Sequence, residues 1–334
     1  MSSVDLAIVG LGRIGRIHAE NILSMQGANL KMIIDPVLDI DEGFKERGIQ
    51  QSKKIADLFD LQNIDGVIIC SPSSYHVDQI KELSKATKNI FCEKPLGLSV
   101  KEIMDVKFLV DSKKLNLHVG FNRRFDPDFS SLKSSIVSGD IGNIHMIKII
   151  SRDPSPPTIS YIKKSGGMFI DMTIHDFDMV KYLSGVEISE IFAKGDCFID
   201  SEIKKANDID TAIINMTLKN GILATINNSR KAVYGYDQRI EVLGSEGTLI
   251  AGNKLLHDVR MGTKNGFTSA NPKNFFIDRY KESYKIEISD FIRSISGKTV
   301  DHANVDDGLH ALKTGLAANE SLLKNKPVQL EGLR

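Results

Sequence analysis

Three glycines that follow the first apolar segment of the chain limit its fold more than any other feature of the sequence. The segment Val4–Val9 is strand-like, and Gly10, Gly12 and Gly15 come directly after it in the pattern G-x-G-x-x-G, before a helical stretch. In this arrangement the first glycine makes a tight turn, the second lets the backbone approach a pyrophosphate, and the third lets the helix pack closely on the strand. The free N–H groups of the helix N-terminus then face the phosphates. The motif predicts a dinucleotide-binding βαβ unit, although glycines at this spacing also serve ordinary turns.

Strand-like and helical segments alternate over the first 120 residues. The strand-like runs, rich in β-branched residues, are Val4–Val9, Leu30–Ile34, Gly66–Cys70, Asn89–Cys92 and Leu115–Val119. Amphipathic stretches lie between them, so the order of elements predicts a doubly wound parallel sheet with helices on both faces. We therefore assign residues 1–120 to a Rossmann domain that binds the dinucleotide.

From about residue 121 the pattern changes to longer strand-like runs joined by turn signals. These runs are Ile144–Ser151, Ile188–Phe198, Thr211–Leu218, Ile222–Asn227 and Gln238–Leu243. Two long helical segments are expected near residues 274–296 and 305–324. Residues 121–334 are therefore predicted to form an α+β domain with a large, mostly antiparallel open sheet.

Charge and the length of apolar runs exclude several classes of protein. Lys plus Arg and Asp plus Glu are 43 each, so the formal net charge is zero, whereas a nucleic-acid or anionic-membrane binder needs a basic excess. No apolar run approaches the ~20 residues of a membrane-spanning helix. The three cysteines, Cys70, Cys92 and Cys197, are odd in number and far apart, unlike a disulfide framework or a zinc site. We expect a cytoplasmic protein without nucleic-acid or membrane partners.

An acidic residue at the end of the second strand indicates which dinucleotide binds. Asp35 stands 25 residues after Gly10, where a carboxylate can accept both ribose hydroxyls of NAD and would repel the 2′-phosphate of NADP. Pro36 follows it, in place of an Arg or Ser that would favour the phosphate. We predict NAD as the cofactor, the alternative for Asp35 being a solvated acid at a strand end. The cofactor-binding residues expected in this part of the chain are Gly10, Leu11, Gly12, Arg13, Ile14, Gly15 and Asp35.

Two further segments leave strands at the carboxyl edge of the predicted sheet, where open α/β sheets form their ligand crevice. In Ser71-Pro72-Ser73-Ser74-Tyr75-His76, the histidine is expected to line the cofactor, the alternative being a helix-start or packing histidine. In Glu93-Lys94-Pro95, whose proline can be cis, the lysine is expected beside the nicotinamide, hydrogen-bonding a substrate hydroxyl. A lysine is otherwise a solvated surface charge. Cofactor contacts are expected from Ser71, Pro72, Ser73, His76, Glu93 and Lys94.

A second candidate site lies between residues 166 and 178. If a helix begins near Ile170, Asp171 and His175 are one turn apart on a single face, which Asp178 shares. A carboxylate beside an imidazole suits proton transfer, because it fixes the ring and raises its affinity for a proton. The alternative is a helix N-terminus with satisfied polar groups. A metal site is the weaker interpretation, since hydride transfer to NAD needs no metal, and none is predicted.

Taken in order, these motifs resemble those of the Gfo/Idh/MocA oxidoreductase family. The motifs are Gly10-x-Gly12-x-x-Gly15, Ser71-Pro72…His76, Glu93-Lys94-Pro95, Phe121-Asn122-Arg123-Arg124-Phe125-Asp126 and Gly166-Gly167…Asp171…His175…Asp178. They span residues 1 to about 180, and the segment Leu316–Ser321 with Pro327-Val328 is similar to the family's C-terminus. Within the family, the segments most similar to those of the inositol 2-dehydrogenases are Ser151–Pro154, Tyr161–Gly167 and Tyr234–Arg239.

The resemblance implies NAD-dependent oxidation of a cyclitol secondary hydroxyl, foremost myo-inositol to 2-keto-myo-inositol (scyllo-inosose). By position, Lys94 would hydrogen-bond the reacting hydroxyl, His175 would accept its proton and Asp171 would orient His175. Asn122 would contact both cofactor and substrate. The second domain would bind the substrate and form a homo-oligomer, a tetramer, through its open sheet. The substrate-binding residues implied are Lys94, Asn122, Arg123, Asp153, Asp171, His175, Asp178, Tyr234 and Tyr236.

The two tyrosines of this set stand two residues apart. On a strand, Tyr234 and Tyr236 would point to one side while Gly235 faces the other, so both hydroxyls could reach one pocket. The alternative is that both are ordinary sheet aromatics.

Two other functions stay open at this point. One is an NAD-dependent dehydrogenase of scyllo-inositol or another sugar or polyol, and the other is a catalytically silent NAD-binding regulator on the same fold. The intact set of Lys94, Asp171 and His175 favours an enzyme over a regulator.

Overall fold

The computed structural model describes residues 3–37, 39, 41–61 and 63–332. The chain forms two compact units. The first contains the residues up to Asn122 together with Ser283–Leu312, and the second contains Arg123–Glu282 together with the residues from Lys313 onward. The chain therefore leaves the first unit and later returns to it. The assignment of cofactor binding to one part of the chain and substrate binding to the other stays a prediction.

The first unit is built on a six-stranded sheet. Its strands are β1 (Val4–Val9), β2 (Ala28–Ile34), β3 (Gln50–Ser52), β4 (Gly66–Ile69), β5 (Asn89–Glu93) and β6 (Asn116–Gly120). They lie in the order β3-β2-β1-β4-β5-β6, and neighbouring strands pair in parallel. This confirms the predicted doubly wound sheet. The strand order reverses between β1 and β4, and in such sheets ligands bind outside the carboxyl ends of the strands at that point.

The second unit contains a seven-stranded sheet. The strands from here on are β7 (Ile144–Arg152), β8 (Ile188–Asp196), β9 (Thr211–Leu218), β10 (Leu223–Ser229), β11 (Asp237–Gly244), β12 (Thr248–Ala251), β13 (Arg260–Thr263), β14 (Gly266–Ser269) and β15 (Val328–Gln329). The sheet has the order β12-β11-β7-β10-β9-β8-β15, while β13 and β14 form a separate hairpin. Strands β7 and β10 pair in parallel and the other neighbours are antiparallel. The sheet is therefore mixed and mostly antiparallel, as predicted.

Helices connect the strands of both units. The α-helices are α1 (Arg13–Leu23), α2 (Glu42–Glu46), α3 (His76–Leu83), α4 (Val100–Lys113), α5 (Pro127–Ser138), α6 (Ile159–Ser165), α7 (Gly167–Asp171), α8 (Ile174–Ser184), α9 (Ser201–Lys205), α10 (Phe276–Arg279), α11 (Lys281–Ile295) and α12 (Val305–Lys324). Short 3₁₀ segments lie at Ile55–Asp60, Ser73–Tyr75, Asn122–Phe125 and Leu330–Gly332. Of the helices in the described ranges, none combines the length and apolar character needed to cross a membrane.

The core of the first unit surrounds its sheet. Leu6 and Ile8 of β1 pack in one buried cluster with Ile22 of α1, and the cluster includes Ile288 and Phe291 of α11. Strands covered by helices on both faces explain why β1 and β4 are near-continuous apolar runs. Helix α11, far along the chain, thus completes the core of the first unit.

One face of the second unit's sheet is buried and the other is exposed. Along β9 the residues alternate strictly, so that Ile214 and Met216 are buried while Ile213 is exposed. The pairing registers place five exposed apolar side chains on the same outer face, which we call the open face. They are Met146, Ile213, Leu223, Leu243 and Ile250.

A buried histidine on β6 makes the first unit sensitive to acid. The ring of His118 stacks on that of His302 with centroids 3.7 Å apart, and Phe291 meets it edge-on at 5.1 Å. Burial, reinforced by the neighbouring His302 imidazole, lowers the pKa of His118 to about 3. In the unfolded chain the same imidazole titrates near its ordinary value. As pH falls below that value, the unfolded chain binds a proton that the folded chain cannot, and the free energy of unfolding decreases.

We expect His118→Phe to reduce this acid sensitivity. Between pH 7 and pH 5, His118 costs the native state about 2 kcal/mol, since one pKa unit corresponds to about 1.4 kcal/mol. Urea unfolding at both pH values measures the difference, and it should be smaller in the variant by about this amount. His145→Phe, at an exposed histidine of β7, is the matched control. An equal decrease in the unmodified protein and in His118→Phe would contradict the prediction.

Candidate active site

The turn between β1 and α1 has no room for side chains at two of its glycines. Gly10 has φ +93°, and a Cβ added there would lie 2.6 Å from the backbone nitrogen of Ser71. A Cβ on Gly15 would lie 2.0 Å from the carbonyl oxygen of Gly10. Contacts this short displace backbone, so the turn requires glycine at both positions. These are the tight turn and the close helix–strand packing predicted from the sequence.

The start of α1 is open to a ligand. Gly12 is the N-cap of the helix, and no described side chain caps it. A Cβ on Gly12 would meet nothing within 4 Å, so the backbone is bare on that side. Arg13 is exposed and Leu11 is buried. A helix N-terminus with uncapped N–H groups beside a bare backbone fits a pyrophosphate.

Asp35 lies at the carboxyl end of β2, in contact with the same turn. Its Oδ2 accepts a hydrogen bond from the Leu11 N–H at 2.8 Å, and its Oδ1 accepts one from the Val37 N–H at 3.0 Å. Backbone donors thus orient the carboxylate beside the glycine turn. Together with the bare N-terminus of α1, this arrangement fits a dinucleotide whose ribose hydroxyls donate to Asp35.

The loop after β4 is tied to the loop after β5 through a buried histidine. His76 begins α3 and is 1% exposed. Its Nδ1 lies 2.8 Å from the carbonyl oxygen of Pro95, and its Nε2 lies 2.9 Å from the carbonyl oxygen of Ser71. Burial lowers its pKa. Both ring nitrogens therefore contact the backbone of these two loops. Pro72 and Ser73 lie at the start of the 3₁₀ segment that connects Ser71 to His76.

Lys94 follows directly on the last residue of β5. Glu93 ends the strand, and the Lys94-Pro95 peptide bond is cis. Lys94 is partly buried. Asn122, after β6, is 3% exposed and is the last residue of this stretch of the first unit. The predicted cofactor residues of the first unit thus lie at or beyond the carboxyl ends of its strands.

In the second unit, the predicted continuous helix through Asp171 and His175 is wrong. Helix α7 ends at Asp171 and α8 begins at Ile174, so a turn separates the two residues. The N–H groups of Met172 and Thr173 both donate to the carbonyl oxygen of Met168, at 2.9 and 3.0 Å. The turn is held by Thr173, whose hydroxyl donates to Asn228 Oδ1 at 2.7 Å. The spacing of one helical turn on a single face therefore does not apply.

Asp171 and His175 are nevertheless both partly exposed. The hydroxyl of Tyr161, on α6, donates to Asp171 Oδ1 at 2.8 Å. Tyr161 belongs to the segment that resembles the inositol 2-dehydrogenases, and its contact with Asp171 was not predicted from the sequence. The carboxylate is therefore oriented by a residue of the preceding helix.

Arg123 lies in a buried polar network. It pairs with Asp176, and its Nη2 donates to the Tyr236 hydroxyl at 3.4 Å. Asp176 also accepts from Asn228 Nδ2 at 2.9 Å and from Gln238 Nε2 at 3.4 Å. Asp176, Asn228 and Gln238 were not predicted from the sequence as members of this network.

Asp178 is also buried and ion-paired. The guanidinium of Arg124 donates from Nε to Asp178 Oδ2 at 2.8 Å and from Nη2 to Oδ1 at 2.5 Å. A pair with both carboxylate oxygens engaged is bidentate, which adds geometric specificity. The predicted role of Asp178 in a substrate pocket stays a prediction, and the structure gives it this partner.

The two tyrosines do not lie on a strand, so that expectation is wrong. They precede β11, which begins at Asp237, and Gly235 between them has φ +127°. Tyr236 is 4% exposed, and burial raises its pKa to about 12. Tyr234 is 38% exposed, and its hydroxyl donates to Asp237 Oδ2 at 2.6 Å. The turn therefore directs the two hydroxyls into different surroundings.

Asp153 follows β7 and is partly buried. Burial raises its pKa to about 6, against the opposing effect of Arg230, and the neighbouring Asp171 carboxylate contributes in the same direction as burial. Among the predicted substrate residues of the second unit, Asp153, Asp171 and His175 are thus partly exposed polar groups, whereas Arg123, Asp178 and Tyr236 are buried.

Both parts of the chain match known family models. Residues 4–121 match the oxidoreductase family with an NAD-binding Rossmann fold, and residues 129–250 match the GFO/IDH/MocA C-terminal domain. The cofactor implied by the first match is the one predicted from Asp35 and the glycine turn.

Similar proteins extend along nearly the whole chain. The myo-inositol 2-dehydrogenase of Thermotoga maritima is 42% identical over 98% of this chain and 98% of its own. The inositol 2-dehydrogenase of Rhizobium meliloti is 39% identical over 98% of this chain and 99% of its own. The structure of scyllo-inositol dehydrogenase from Lactobacillus casei, with bound cofactor NAD(H) and scyllo-inositol, is 31% identical and superposes with a TM-score of 0.92 over 99% of this chain and 100% of that one.

Asp35 should decide the choice between NADH and NADPH. We expect the unmodified protein to bind NADH far more tightly than NADPH, because the carboxylate repels a 2′-phosphate, and Asp35→Ser to narrow the gap. Titration of the nicotinamide fluorescence measures both dissociation constants without any substrate. Asp60→Ser, at an exposed aspartate of the same unit, is the control. Equal affinities for NADH and NADPH in the unmodified protein would refute the assignment.

Proposed function

The chain belongs to the Gfo/Idh/MocA family of NAD-binding oxidoreductases, and on this premise we propose that it oxidises a secondary hydroxyl of a cyclitol, foremost myo-inositol, to the ring ketone. The observation that carries the proposal is the presence in one chain of the glycine turn with Asp35 and of the partly exposed Asp171 and His175. The first supplies a dinucleotide site and the second supplies groups for proton transfer. The full-length similarity to proteins named for inositol supports the substrate class.

In this proposal each reacting group has one task. NAD bound at this site would supply the acceptor for the hydride of the carbinol carbon. Lys94 hydrogen-bonds the reacting hydroxyl, and His175 accepts its proton as general base. Asp171, whose carboxylate is oriented by Tyr161, stabilises the imidazolium that forms at His175. Gly10, Gly12, Gly15 and Asp35 hold the cofactor.

Recognition of the other ring hydroxyls requires several donors and acceptors, because an unpaired buried hydroxyl is costly. We assign direct contacts to Asp153 and Asn122, in addition to the reacting groups. The other proposed substrate-binding residues are Arg123, Asp178, Tyr234 and Tyr236. Arg123 and Tyr236 contact each other, and Asp176 holds Arg123 in place.

Scyllo-inositol is the second candidate substrate. The likeness to the scyllo-inositol dehydrogenase of Lactobacillus casei, at a TM-score of 0.92, favours it. The two cyclitols differ only in the configuration of one hydroxyl, so the same reacting groups serve both. Comparing kcat/KM for the two substrates distinguishes the alternatives.

The proposed proton-transfer pair is tested by single and double substitutions. We expect His175→Ala to lower kcat by ~10²–10⁴, the usual contribution of a positioned general base, and Asp171→Asn to lose a similar factor. The double variant should lose much less than the product of the two factors, because the groups act together. NADH production from a panel of cyclitols and aldoses, followed by absorbance, gives the rates.

Two exposed residues of the same chain provide controls for this test. His257→Ala and Asp258→Asn remove the same functional groups at the surface and should leave the rates unchanged. Multiplicative losses at 171 and 175, or loss of NADH binding together with the rate, would show that the pair is structural. Turnover of an aldose but of no cyclitol would overturn the substrate class.

We also propose that the protein is a cytoplasmic homotetramer. The three cysteines are free thiols, as is usual in a reducing compartment. The open face of the second unit's sheet carries Ile213, Leu223 and Ile250 at 52%, 50% and 69% exposure. Exposed apolar side chains on one sheet face favour association, and most soluble oligomers are symmetric assemblies of one chain.

Charged substitutions on the open face test whether it forms the interface between chains. The double variant Ile213→Lys/Leu223→Lys places two cations on neighbouring strands of that face and should convert the assembly to smaller species. Light scattering after size exclusion measures the mass, which for the unmodified protein should equal four chains. Leu323→Lys, at an exposed leucine of α12, is the control and should keep the unmodified mass. A monomeric unmodified protein would refute the proposal.

A further inference from the structure

A buried cluster of three side chains lies beneath the segment that carries Lys94. The Nε2 atom of His18, on α1, lies 2.8 Å from Oε1 of Glu93. Glu287, on α11, is the third member, and one ligand atom of each residue lies within 4.8 Å of the others. His18 and Glu287 are 0% and 1% exposed. Glu93 directly precedes Lys94 in the chain. The contacts that His18 and Glu287 make with Glu93 therefore bear on the backbone next to Lys94.

Burial determines the protonation state of Glu287, the third member of the cluster. Burial, together with the nearby Glu93 carboxylate, holds the pKa of Glu287 well above its usual range, so this carboxyl is neutral. Neither of its oxygens has a hydrogen-bond partner within the described ranges. The same holds for Nδ1 of His18, which marks Nε2 as the N–H that donates to Glu93. Glu93 thus accepts from His18 Nε2 and lies close to the neutral carboxyl group of Glu287.

The opposite side of Glu93 is closed by backbone. A Cβ on Gly120 of β6 would lie 2.9 Å from Glu93 Oε2 and 3.1 Å from Glu93 Cα. The carboxylate therefore rests against a glycine on one side and is hydrogen-bonded by His18 on the other. Only small movements of Glu93 are compatible with both contacts.

The residue after Lys94 is held in the same way by a second histidine. His76 Nδ1 lies 2.8 Å from the carbonyl oxygen of Pro95, while its Nε2 contacts the carbonyl oxygen of Ser71 at 2.9 Å. Both histidines are fully enclosed and project from different helices, α1 and α3. The three-residue segment Glu93–Pro95 is thus fixed at each end by one imidazole.

We propose that His18 and His76 are positioning residues for Lys94. His18 holds Glu93 and His76 holds Pro95. Together they fix the backbone of Lys94 and therefore the position of its Cα. This inference rests on the proposed role of Lys94 at the reacting hydroxyl. A displacement of about 1 Å at a reacting group can cost ~10² in rate, so the loss of either contact should lower kcat more than it changes KM.

Amide side chains allow the individual contacts to be separated. His18→Gln keeps a donor near the position of Nε2, whereas His18→Phe keeps a ring of similar size and removes the donor. His76→Asn keeps a donor near Nδ1, toward Pro95, and His76→Gln keeps one near Nε2, toward Ser71. We expect His18→Phe and His76→Gln to lower kcat at least ~10-fold, with His18→Gln and His76→Asn retaining most of it. The Pro95 contact would then be the one that serves Lys94.

A merely structural role for the histidines predicts a different pattern. It would lower the melting temperature in all four variants and leave the kcat of the folded enzyme unchanged, and that result would overturn the inference. His145→Phe is the matched surface control and should change neither quantity. If His18→Phe does not fold, Gly120→Ala displaces Glu93 from the other side and should lower kcat by a similar factor.

A readout without substrate separates this inference from the proposed function. Reductive methylation with ¹³C-formaldehyde labels lysines, and the Lys94 resonance is identified by its loss in Lys94→Arg. His18→Phe should shift or broaden that resonance and His18→Gln should restore it, even if no cyclitol is oxidised. An unchanged Lys94 resonance in His18→Phe would overturn the positioning role, whereas absence of turnover with an altered resonance would count only against the proposed function.

An imidazole and two carboxyl groups are also metal-ligating groups. The alternative is therefore that a metal cation joins His18, Glu93 and Glu287, in place of the hydrogen bond between His18 and Glu93. The direct His18–Glu93 hydrogen bond and the neutral Glu287 favour the hydrogen-bonded cluster over a metal site. Dialysis of the unmodified enzyme against EDTA, with kcat measured before and after addition of Zn²⁺ or Mn²⁺, tests this. Loss of kcat that either metal restores would overturn the positioning role, and an unchanged kcat supports it.

Discussion

The parallel pairing of β1 with β2 on one side and with β4 on the other determines where the polar loops of the first unit lie. Because all six strands run in the same direction, the loops after β1, β2, β4, β5 and β6 emerge at one edge. Next to the first helix, Gly10 and Gly15 let backbone approach backbone, since a Cβ at either position would lie within 3 Å of a main-chain atom. The common direction of the strands therefore brings Asp35, Ser71 and Lys94 to one edge of the sheet.

The strands that could be predicted are those whose pattern is local. Strands β1 and β9 begin and end at the residues predicted, because runs of apolar residues and strict alternation are visible in the sequence itself. Strand β3, Gln50–Ser52, is polar and gave no such signal. The break between α7 and α8 could not be predicted either, since the hydroxyl that holds it reaches Asn228, 55 residues away along the chain.

In the candidate site, too, contacts between residues distant in the sequence could not be predicted. Spacing and resemblance identified Arg123 and Asp178, but their partners Asp176 and Arg124 are more than 50 residues distant from them. Buried charges in proteins are paired, so each of these partners is required as much as the residue it holds. What separates Asp171 and His175 from Arg123 and Asp178 is exposure, and exposure depends on the whole unit. Sequence motifs name the residues of such a site but do not rank them by access to a ligand.

The return of the chain to the first unit at Ser283 has a consequence for synthesis on the ribosome. A nascent chain of 122 residues has every strand of the six-stranded sheet but lacks Ile288 and Phe291, which complete its core. Its apolar cluster around Ile22 and Phe91 stays uncovered until α11 emerges, long after the second unit's strands β7 to β14 have been translated. Exposed apolar surface of this kind recruits chaperones and promotes aggregation. The first unit is first in sequence, yet its core is completed only after most of the second unit has been translated.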